Sequence, residues 1–167
     1  MNSINLFAKS VFLFCALCIG SCACGHSQVG ADRPQAVLGW GFELSDTAVS
    51  NRRPVTLAEL SDLPESLVFK VLENSNPARR NVGVAVSFEI VEKNLALETY
   101  AIHTISFFPP DQTGNFSIRL KERAKEALRR LESRPESTAF LVFTLKSLDG
   151  TNLPDGLRLK CRVAGQN

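Results

Sequence analysis

Of the side chains able to act as nucleophiles, proton carriers or metal ligands near neutral pH, this chain of 167 residues holds five cysteines and two histidines. His103 stands near Ile102 and Ile105, and His26 among the small and polar residues Gly25, Ser27 and Gln28. Acid–base or metal chemistry at His103 would need a partner at fixed spacing, because one imidazole neither fills a coordination sphere nor fixes its own tautomer. No second His or Cys stands at ligand spacing, and there is no glycine-rich phosphate loop, nucleophile elbow or paired acidic motif. The reading is of a chain that is not an enzyme and holds no metal or cofactor, with His103 a surface or half-buried strand residue.

The cysteines separate by setting. Cys15 and Cys18 belong to an N-terminal apolar run, Cys22 and Cys24 follow it, and Cys161 alternates with Leu157, Leu159 and Val163. That last pattern makes Cys161 a small buried hydrophobe with a free thiol. In an oxidising compartment it could instead join Cys24, closing a loop worth about 4 to 5 kcal/mol by chain entropy. Acylation of Cys24 is a third option.

The first 21 residues contain one basic side chain, Lys9, no acid, and an uninterrupted apolar run over residues 11–19. As a helix that run spans about 14 Å, roughly half a bilayer core, too short for a stable span. A cationic start, an apolar centre and a small-residue end are the parts of an export signal. The end reads Ile19-Gly20-Ser21-Cys22, which resembles the lipobox of bacterial lipoproteins. That resemblance implies a diacylglyceryl group on the Cys22 thiol, removal of residues 1–21 with Cys15 and Cys18, and acylation of the new amino terminus. Small residues let a processing enzyme close around the backbone, and sulfur forms a stable thioether. Two or three acyl chains would hold the protein firmly where one binds only marginally. The competing reading is an ordinary signal with Ser21 and Ala23 as the small pair, cleaved before Cys24 to give a soluble secreted binding or inhibitor domain. Ala23, not an acid, after Cys22 resembles the outer-membrane pattern of enteric lipoproteins.

Removing the leader leaves about 146 residues, enough for one domain with a core of its own. Of 19 Lys and Arg only Lys9 departs, so 18 basic residues face 17 acidic ones. This near balance argues against a nucleic-acid partner, which needs a concentrated basic field. Residues 22–33 form a lipidated cysteine and flexible tether, ended by Pro34, and residues 34–167 the domain.

Within that domain the apolar residues recur every second position. Leu38, Trp40, Phe42 and Leu44 mark a first strand, and residues 67–72 a buried one that stops at Asn74-Ser75-Asn76-Pro77. Val82, Val84, Val86, Phe88 and Ile90 mark the centre of the core. Residues 45–61 read mostly as loop, with a helical turn near 56–60. Residues 93–97 break the pattern before a strand over 100–108, and Phe116, Ile118 and Leu120 alternate again. Ala124, Ala127, Leu128 and Leu131 instead follow helical spacing, predicting a surface helix over 121–133 with Glu126 paired to Arg129 and Arg130. Its cations Lys121, Lys125, Arg129, Arg130 and Arg134 would meet solvent, diluted by three glutamates. Residues 139–145, apolar on both faces, and 157–163, with Arg158, Lys160 and Arg162 outward, read as a closing hairpin whose charged strand avoids edge pairing. Together these elements predict a mainly β chain, an immunoglobulin-like or transthyretin-like β-sandwich with one added helix. Its expected role is a structural or binding module, lipid-anchored in the bacterial envelope with the outer membrane favoured. The domain would lie in the periplasm or exterior, and its partner would be another envelope protein, in an assembly such as a secretion complex.

Overall fold

A computed structural model describes residues 39–166 apart from 94 and 135. Eight strands and two helices follow in order: β1 (Gly41–Ser45), β2 (Ser50–Val55), α1 (Leu57–Ser61), β3 (Ser66–Ser75), β4 (Val82–Glu92), β5 (Leu95–Ser106), β6 (Gly114–Arg119), α2 (Lys121–Ser133), β7 (Thr138–Ser147) and β8 (Arg158–Gln166). They form two antiparallel sheets of order β1-β8-β3-β6 and β2-β7-β4-β5. The protein is thus a mainly β sandwich with a helix at 121–133, as its periodicity predicts.

The ladders β1–β8, β2–β7, β3–β6 and β4–β5 nest inside one another. The chain therefore folds like one long hairpin turned at β4–β5 and wrapped into two sheets, the eight-stranded jelly-roll order rather than the seven-stranded immunoglobulin one. Only the β4–β5 link stays within a sheet. Every other link crosses the sandwich, and α1 and α2 make two of the crossings at the same end.

Alternation drives the packing, because successive side chains on a strand point to opposite faces. Leu67, Phe69 and Val71 of β3 and Leu159, Cys161 and Val163 of β8 meet Val84, Val86, Phe88 and Ile90 of β4 and Leu141, Phe143 and Leu145 of β7 in one buried cluster. Each large apolar side chain there contributes about 1.5 to 3 kcal/mol by leaving water. Phe69 and Phe143 stack across the sheets at 5.4 Å, with Phe42 tilted against both and Trp40 against Phe42 and Phe143.

Four features differ from the pattern reading. First, β2 is a strand where loop was expected. Its inward positions are Asn51, Arg53 and Val55, only the last buried, so no apolar alternation announces it. Pairing with β7 supplies its hydrogen bonds, and as an edge strand it tolerates Pro54. Arg53 lies 5.3 Å from the Trp40 ring and Arg52 4.4 Å from that of Phe140. Second, β5 begins at Leu95, directly after a turn in which Lys93 has φ 48°, and register shifts against β4 blur its alternation. Third, β7 and β8 form no hairpin. They lie in different sheets, and β8 is a central strand between β1 and β3, so its outward cations mark a wet face and not an edge. Fourth, β3 runs on to Ser75 with one face open, leaving Leu72 42 % exposed.

The helices form for local reasons. Thr56 caps α1 through its hydroxyl, which accepts from the Glu59 amide, while the Glu59 carboxylate accepts from the Thr56 amide, a reciprocal pair that satisfies two orphan donors. In α2 the buried residues are Ala124, Ala127 and Leu131, and the helix packs on α1 and on β4, β5 and β7.

Candidate functional site

Cys22, Cys24 and His26 lie outside the described residues. Cys161 and His103 are described, and the fold carries them to opposite environments. Cys161 is a free thiol, 1 % exposed, between the sheets. Burial pushes it up to about 12, because a thiolate would sit among apolar side chains with no compensating charge. It is therefore protonated near neutral pH and inert as a nucleophile.

His103 is exposed on β5. The pairing with β4 slips there: Val86 faces His103 while the next residue, Ser87, faces Ala101, leaving Ile102 over as a bulge. Ile102 turns to pack on the core, so His103 and Thr104 stand exposed in succession. A bulge re-aims a side chain in this way. The result is a shallow concavity of about 450 Å³ on the outer face of β4, β5 and β7, floored by Ala85, Ser87 and Ala101 and bordered by Glu89, His103 and Lys146. Small floor residues let the sheet dip. Among the described residues no hydrogen bond joins His103 to a carboxylate or hydroxyl, and no three His, Cys, Asp or Glu side chains converge to hold a metal ion. Glu89, His103 and Lys146 are the ionisable groups at its border.

A second polar centre ties α2 to the edge strand β5. The Glu98 carboxylate lies 3.2 Å from Arg130 Nε and 3.5 Å from an Arg134 terminal nitrogen. It also accepts from the Tyr100 hydroxyl, which in turn accepts from Arg130 Nε at 3.2 Å. Burial and the neighbouring Glu98 carboxylate raise the Tyr100 phenol above its usual value, while Arg130 opposes them. Helical spacing pairs Glu126 with Arg129 and Arg130, yet Glu126 bonds Arg123 at 2.8 Å and Arg130 turns to Glu98. Nothing in the local pattern couples Glu98 to residues so far along the chain. Only the meeting of α2 with β5 does.

Comparison with protein-family models and with curated proteins finds no match for this chain.

Proposed function

We propose that this protein is a lipid-anchored module of the bacterial cell envelope, held at a membrane through Cys22 and acting by binding rather than catalysis. The observation that carries this reading is Ile19-Gly20-Ser21-Cys22 directly after a short apolar run with a cationic start. Two features support it. A sandwich whose candidate nucleophile, Cys161, is buried and protonated suits a scaffold. Among the described residues, no helix is long and apolar enough to cross a membrane, and this reading places the attachment on Cys22. Seventeen residue steps separate Cys22 from Gly39, about 60 Å at most, which bounds how far the lipid could stand from the domain.

The test is the intact mass of the protein recovered from the membrane fraction. The expected result is loss of residues 1–21 and an added mass, from a diacylglyceryl group with or without a further acyl chain, on the peptide beginning at Cys22. Both vanish in Cys22→Ala. A mature protein beginning at Cys24 without added mass, recovered in the soluble fraction, would replace the reading with a secreted binding domain.

A further inference from the structure

The outer face of the sheet β1-β8-β3-β6 carries a charge arrangement that works against the fold. Lys70 of β3 and Arg162 of β8 are direct cross-strand partners, with Cα atoms about 5 Å apart. Like charges placed so are destabilising. Relief would come from a carboxylate alongside, but the flanking partners are Gly41 on β1 and Asn115 on β6. Arg119 of β6 is exposed on the same face, level with Ser66 and four residues along β3 from Lys70. Among the described residues, Lys70, Arg119 and Arg162 have no ion-pair partner, whereas Lys160 meets Glu73 and Arg158 meets Glu43. Five cations thus face two carboxylates on one sheet of a chain whose net charge is only +2. On α2 and its C-cap, Arg123, Lys125, Arg130 and Arg134 bind glutamates, while Lys121 and Arg129 have no ion-pair partner among the described residues.

We propose that this face docks on an anionic phospholipid surface; the inference rests on the reading of the chain as held at a membrane and names the contact the domain makes there. Geometry selects a surface over a single bound anion. The cations are spread along a band about 25 Å long and converge on no common point, which matches a plane of headgroups. Val68 is half-buried and Leu72 exposed on the same face of β3, giving apolar groups between the charges. The first described residues join the edge of this same sheet: the Gly39 amide donates to the Val163 carbonyl at 2.7 Å, and Gly41 is the partner of Arg162. A lipid on Cys22 and the basic face would bind the same bilayer, the two-signal arrangement that makes attachment stable.

The test uses the full chain carrying Cys22→Ala, so that no lipid can be added, with and without Lys70→Gln and Arg162→Gln. Each protein is co-sedimented with vesicles of phosphatidylglycerol and phosphatidylcholine, and of phosphatidylcholine alone. The leader is present in both proteins and cancels in the comparison. The expected result is preference for the anionic vesicles, weakening with salt. A basic residue near an anionic surface is worth roughly fivefold in affinity, so the double variant binds about 30-fold more weakly. It also melts no lower than its parent, since the substitutions relieve repulsion. Equal binding to both vesicle types, or undiminished binding by the double variant, would overturn the proposal. So would retention on a polyglutamate resin without vesicle binding, which would make the occupant an acidic protein. The mass of the native N-terminal peptide is read separately, so the lipid anchor and the basic face can fail independently.

Discussion

Gly83 of β4 is a position where one added methyl group would run into backbone. A Cβ built there would lie 2.5 Å from the Ile105 carbonyl oxygen of β5 and 3.2 and 3.3 Å from the two methyl groups of Leu148. The leucine can rotate away, but the carbonyl belongs to the ladder in which Gly83 faces Ser106 and Val84 faces Ile105. Either the β4–β5 pair opens or β5 shifts, at the hairpin on which the nested strand order turns. Overpacking of this kind costs about 1 to 3 kcal/mol. The smaller unfolded-state entropy of alanine offsets about 0.4 to 1 kcal/mol of it. On the central values the net loss is about 1.3 kcal/mol, which for a domain of this size lowers Tm by about 5 °C, and by about 10 °C at the upper end. Gly41→Ala is the control, because its Cβ would meet only the Cys161 carbonyl at 3.5 Å, an ordinary contact, and it should melt at or slightly above the parent. Thermal unfolding followed by circular dichroism measures both. If Gly83→Ala melts with the parent, or the two variants behave alike, the close approach of β5 to β4 at this point is wrong.

Further expectations concern the buried thiol, the helix clamp and the exposed histidine. The Cys161 thiol is raised from its usual value near 9 to about 12 by burial, so the unfolded chain releases its proton first as pH rises. Its contribution is complete below about pH 9 and is lost progressively toward about pH 12, and denaturant unfolding across that window should show wild type losing more stability than Cys161→Ala. A thiol titration should find Cys161 unreactive in the folded protein and reactive once denaturant is added; persistent unreactivity reversed only by reductant would show it bonded, with Cys24 as the candidate partner. Glu98→Gln removes two ion pairs and weakens the bond to Tyr100, so Tm should fall by a few degrees, with a smaller difference at high salt; a salt-independent difference would count against the ion pairs. His103→Ala touches no described hydrogen bond and should leave stability within about 0.5 kcal/mol, while loss of some measured turnover in that variant would contradict the binding-only reading.

Much of the framework was legible because burial writes a period into the chain. Val82 to Ile90 alternate without interruption, and β4 is central with all five apolar side chains at most 1 % exposed. The helix at 121–133 was equally plain from Ala124, Ala127 and Leu131. Illegible elements were those stabilised by a neighbour instead of by their own apolar face. Strand β2 buries only Val55 fully and exists through its ladder with β7. The start of β5 was hidden because register shifts disturb its alternation. The concavity around His103 had no signal at all, since it arises from a bulge and from small residues on three strands.

The amino-acid order by itself determined which side chains of β4, β7 and β8 face inward, where those strands and α2 fall, and that Cys161 is a core residue, because each of these follows from a repeat of two or of roughly three and a half along one stretch of chain. Tertiary structure alone decided that β7 and β8 part into separate sheets, that Arg130 serves Glu98 instead of Glu126, and that Lys70 confronts Arg162. Those are relations between segments tens of residues apart, and their energies come into being only when two strands, or a strand and a helix, are brought side by side.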